Sequence, residues 1–145
     1  MAYLTAAELT AVVGTERLRE IADPQNTGAP DATAIAEALR AAQSSIDSRI
    51  GKKYRVPLAD PVPELVRQLM IDLVIFRLKE RNRNMVTVED VAGEQVRQKT
   101  LADIAAGAVV LDVATLPTPA EMVVDKAGER ASTKTASREA LKGSW

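Results

Sequence analysis

The chain has 145 residues, 46% of them hydrophobic but only 3% aromatic; that is one domain's length, with a Leu, Ile, Val and Ala core favouring packed helices over an aromatic-rich sheet. Nineteen cations against 20 anions leave a formal net charge of -1, so no global field draws the protein to a phosphate backbone and non-specific nucleic-acid binding is not expected. With neither Cys nor His, the chain can form no disulfide, thiolate nucleophile or Cys/His zinc site, and has no side chain that ordinarily titrates near neutral pH.

The opening "MAYLTAAELT" has no cationic n-region and no long apolar run, which predicts no signal peptide. In "TAAELTAVVG", Thr5 stands three residues before Glu8, the capping-box spacing, and Gly14 can close the turn in the left-handed region, so one short helix is expected there. "TERLREIAD" contributes Leu18 and Ile21 before "DPQNTGAPD", a loop by its Pro, Asn and Gly content. From Asp31, an N-cap, the positions Ile35, Leu39, Ala42, Ile46 and Ile50 draw one apolar stripe, and the helix is expected to end at Gly51.

The next stretch, "IDSRIGKKYRVPL", crowds Arg49, Lys52, Lys53 and Arg55 around Tyr54 before Pro57. Its structural reading is a fixed corner: Gly51 stops the helix, Tyr54 packs its ring, the prolines set the angle and one cation offsets a buried acid. Its functional reading is a cluster of cations facing a neighbouring subunit or passing DNA, without base recognition, because no second basic element lies on a reading helix. Pro63 then opens "ELVRQLMIDLVIFRLKERN", whose apolar residues cover most of the circumference and predict the central helix. Asp72 falls within that run, so it is expected to be buried and paired with a corner cation. The end "RLKERNRN" is expected to be a solvated helix terminus. The run is too short to cross a membrane and carries charges, so a soluble protein is expected.

Thr87 and Asp90 approximate a second capping box, opening a helix that runs to Gly107. Its apolar residues fall in two clusters, Val88, Val91 and Ala92, then Leu101, Ile104 and Ala105. No broad unbroken apolar patch is expected on the outer faces of this helix or of the one opening at Asp31, so the isolated protein is expected to be largely monomeric. Beyond it the chain is proline-punctuated, then small and polar, and cannot fold alone. The expected architecture is all-α, a small four-helix-type bundle over residues 1–111 with an extended arm over 112–145. Within the arm, Met122, Val123 and Val124 have strand character and Trp145 could anchor the end, so these four are candidate partner contacts. No nucleotide-binding glycine loop, H-E-x-x-H, G-x-S-x-G or EF-hand spacing occurs; neither catalysis nor a cofactor or metal is expected.

These pieces, in this order, resemble the Mu-like bacteriophage head–tail connector family: "YLTAAEL" at Tyr3 to Leu9, a helix ending in "IDSRIGKKYRVPL", Pro63 and Leu65 opening an apolar helix, and "LADIAAGAVVL" at Leu101 to Leu111. The resemblance covers residues 3 to 111, and its most specific element is the spacing of Tyr54, Pro57 and Leu58 after the basic residues. It implies a non-catalytic virion protein made in the bacterial host cytoplasm and placed at the head–tail junction, as a ring of twelve copies beneath the portal. The implied partners are the portal protein, a tail-side connector or tail terminator, and passing genomic DNA. The alternative from another class is a small helical regulatory or nucleic-acid-binding module, which would need a basic recognition helix.

Overall fold

The structure is a computed structural model that describes residues 2–113 and 115. The chain divides into two units, residues 1–114 and 115–145, and all but one of the described residues belong to the first. That unit is all-α, as its composition predicts. Its elements are α1 (Ala6–Val13), α2 (Thr15–Ala22), α3 (Ala32–Ile50), α4 (Glu64–Glu80), a 3₁₀ turn (Arg83–Met85) and α5 (Val88–Ala106).

Local capping sets the helix starts. The Thr5 hydroxyl accepts the Glu8 N–H at 3.2 Å while the Thr5 N–H donates to the Glu8 carboxylate at 2.8 Å, so two of α1's free donors are satisfied reciprocally. Asp31 accepts the N–H groups of Thr33 and Ala34 at 3.0 and 3.2 Å and starts α3. Gly14 has φ 92° and ψ 143°, outside the left-handed well expected of it, and one residue of such backbone suffices to turn α1 directly into α2. α2 is a helix the periodicity did not announce; its eight residues bury Leu18, Ile21 and Ala22. In the following loop the Asp23 carboxylate accepts the Thr27 and Gly28 N–H groups at 2.8 Å each, and the Thr27 bond foremost holds its pKa below the usual carboxylate value.

α4 is the central helix. It packs on α2, α3 and α5 and buries Val66, Leu69, Met70, Ile71, Leu73, Val74 and Leu78. α3 supplies Ala34, Ile35, Ala38, Ala42, Ile46 and Ile50 to the same core; small residues on this face bring the two helices close. The charged end of α4 is engaged, where a solvated terminus is predicted: Arg77 donates to the Ser45 hydroxyl at 2.8 Å, Lys79 pairs with Asp90 at 2.9 Å and Arg81 with Asp31 at 3.7 Å. The last two acids stand at the N-termini of α5 and α3, so cations at the negative end of one helix meet anions at the positive ends of two others.

Asp72 departs from expectation. No charged or polar residue is buried among the described residues; Asp72 is half-buried and accepts from the Gln68 amide at 3.2 Å. Glu64, Gln68 and Asp72 recur every four residues and form a polar strip on the outer side of α4. No cation lies within ion-pair distance of Asp72 among the described residues, so the pairing with a corner cation does not form.

α5 is asymmetric. Its capping box forms as the spacing predicts, Thr87 accepting the Asp90 N–H at 3.2 Å and donating its own N–H to Asp90 at 2.9 Å. Only Leu101 and Ile104 are buried. Its first half is held to α4 by polar contacts, the Lys79–Asp90 pair and the Arg97 guanidinium lying 5.7 Å from the centre of the Phe76 ring. No helix among the described residues is long and apolar enough to cross a membrane.

Candidate functional site

The basic corner follows directly from the end of α3. The Gly51 N–H still bonds to the Asp47 carbonyl at 2.8 Å, and both the Lys53 and Tyr54 N–H groups bond to the Ile50 carbonyl, at 3.0 and 2.9 Å. Gly51 is right-handed, with φ -62°, so its need for glycine is spatial. A Cβ there would lie 2.6 Å from the Asp47 carbonyl oxygen and 3.2 Å from the Val56 side chain. Pro57 follows Val56 through a cis peptide bond, as Pro61 follows Asp60.

Two buried phenols fasten the corner. Tyr54 is fully buried and its hydroxyl accepts the Leu111 N–H at 3.0 Å. Tyr3, 3% exposed, donates its hydroxyl to Asp47 in a short hydrogen bond and accepts the Leu58 N–H at 2.8 Å. Each phenol therefore satisfies a backbone donor of an irregular segment that no helix or sheet would otherwise pair. Burial first, and then the bond to Asp47, push the Tyr3 phenol well above its ordinary pKa. Sequence reasoning noted Tyr3 without assigning it this task; with two tyrosines in the chain, a buried hydroxyl needing a partner was the available signal.

The four corner cations separate into two groups. Lys53 is half-buried, and its ammonium fills the space that a Cβ at Gly107 would take. Gly107 is left-handed at φ 87° and closes α5, so the Lys53 ammonium lies beside the C-terminal, negative end of that helix. Arg49, Lys52 and Arg55 are exposed and make no ion pair among the described residues. Arg55 lines a pocket that Asp60 and Asp112 also line.

Two further surfaces stand out. Val88, Val91 and Val96 project from the outer side of α5, 82%, 46% and 64% exposed. Its first apolar cluster thus lies outside the core, because only the last turns of α5 are deep enough to be buried, and exposed Gln95 stands among the valines. A groove of about 690 Å³ opens between the leading segment and α3, walled by Leu4, Ala6, Ala36, Leu39 and Met70 with Arg40 among its lining residues. Among the described residues no cluster of three or more acidic side chains could hold a metal ion. Met122, Val123, Val124 and Trp145 lie outside the described residues.

The family model described as Bacteriophage Mu, Gp36 matches residues 3–127. No curated protein matches the chain.

Proposed function

The chain belongs to the Bacteriophage Mu Gp36 family, and from that membership we propose that it is a structural virion protein, a head–tail connector that forms a ring beneath the portal and joins the capsid to the tail. The observation that carries the reading is the reach of the family match, residues 3–127, which takes in the whole helical unit and runs into the arm. Its design is consistent with a scaffold: core contacts and phenol hydroxyls hold the irregular corner rigid, while charged and apolar surfaces are left outward for neighbours. Arg49, Lys52 and Arg55 face either an adjacent subunit or the DNA passing through the channel, in both cases by charge alone. The arm adds the strand-forming segment Glu121–Val124 to an edge of a partner or adjacent subunit, with Trp145 as its end anchor.

Phage particles made without this protein test the reading. Portal-bearing heads and free tails are expected to accumulate separately, and purified protein added to them is expected to restore joined, infectious particles. Normal head–tail joining without the protein would overturn it. The same assay reads the arm: a chain ending at Leu116 is expected to keep its helical spectrum and to lose joining.

A further inference from the structure

The ridge on α5 and the groove beside α3 are both open, so neither covers the other within the chain, and they match in character. Val88, Val91 and Val96 with Ala92 put apolar side chains along the ridge, with Gln95 exposed among them, although valine is a weaker helix former than leucine or alanine at an exposed position. The groove walls are Leu4, Ala6, Ala36, Leu39 and Met70. Charge adds to the apolar match: Glu89 stands exposed on the ridge and Arg40 at the groove, neither in an ion pair among the described residues, while Asp47, which also lines the groove, is engaged by the Tyr3 hydroxyl. An unpaired acid beside one apolar surface and an unpaired cation beside the other favour a mutual contact of ridge with groove.

We propose that the α5 ridge of one copy seats in the α3 groove of a second copy of this chain, with Glu89 meeting Arg40. Since ridge and groove are different surfaces, the contact is heterologous: every copy added leaves one free ridge and one free groove, and the series closes into a ring or runs on as a filament. Closure rests on the connector reading; the pairing of the two surfaces does not.

The chain has no cysteine, so engineered cysteines report on chosen positions alone. Val91→Cys and Ala36→Cys both alter exposed residues, and far-UV circular dichroism checks that each variant folds. With a short bis-maleimide over a concentration series, the double variant V91C/A36C is expected to give a ladder beyond the dimer. A mixture of the two single variants is expected to stop at a heterodimer, and each single variant alone to stay uncrosslinked. Adding Glu89→Lys is expected to suppress the ladder, and Glu89→Lys with Arg40→Glu to restore it. Dimers of V91C alone, or a double variant that stays monomeric both free and on the portal, would overturn the proposal. A ladder from protein that cannot join heads to tails supports the contact and removes the connector reading; joining without any ladder does the reverse.

Discussion

Tyr3 meets its two partners across 44 and 55 residues of chain, and its hydroxyl ties the start of the chain to both sides of the corner. Tyr3→Phe leaves the Leu58 N–H without its acceptor inside the protein, which is expected to cost about 1–3 kcal/mol in urea unfolding. The pH dependence has a definite sign. The folded phenol is raised above its ordinary value of 10.0, so its contribution is complete below about pH 10 and declines above it, where the unfolded chain ionises while the folded chain stays protonated. Tyr3→Phe is expected to lose less stability than the parent protein over that alkaline range. Asp72→Ala is expected to shift the unfolding free energy by no more than about 0.5 kcal/mol, because Asp72 accepts only from Gln68 on an outer strip. The triple change of Arg49, Lys52 and Arg55 to Ala is expected to be equally mild, since those cations have no partners among the described residues to lose. Asp72 shows how a single position misleads: an acid inside an apolar run suggests burial, and only the register of Glu64 and Gln68, each four residues before the next, marks the polar strip.

Helix starts were legible because caps are local chemistry. Thr5 with Glu8, Asp31, and Thr87 with Asp90 each satisfy donors within three residues, and all three starts form where the spacing places them. α2 was not legible: eight residues carry too few turns for a periodicity, and its separation from α1 by Gly14 alone reads as a stop followed by a loop. α5 was half legible, since its two apolar clusters are visible in the sequence but nothing local says that one is covered and the other is not. Asp90 has a double task there, capping α5 with one oxygen and pairing with Lys79 of α4 through the other. The Thr87 backbone bond first, and the Lys79 contact next, hold its carboxyl down to about 2. Its contribution is thus present above about pH 4 and lost as pH falls towards 2. Asp90→Asn is expected to lower the melting temperature at pH 7 and to flatten its decline over that acid range; an unchanged slope would show that the pair does not hold α5 to α4. At the other end, Gly107→Ala must hold an alanine at φ 87° and displace the Lys53 ammonium, so a loss of at least about 1 kcal/mol is expected in the same melts.

At the scale of the molecule, composition pointed to the all-α class, and core residues such as Ile46, Ile50, Leu73 and Val74 follow from the apolar stripe of α3 and the apolar circumference of α4. The two phenol contacts and the groove beside α3 did not follow, because each depends on which distant segments the folded chain brings together. The functional account depends on a larger scale again, where copies of this unit would meet a portal. The measurement that tests it most directly is the mass of purified portal before and after mixing with this protein, read by mass photometry. The account predicts one saturable step equal to a full ring, twelve chains of 15.6 kDa each, with the protein alone largely monomeric under the same dilution. A portal whose mass does not change at saturating protein, or one that gains only one or two chains, would contradict it.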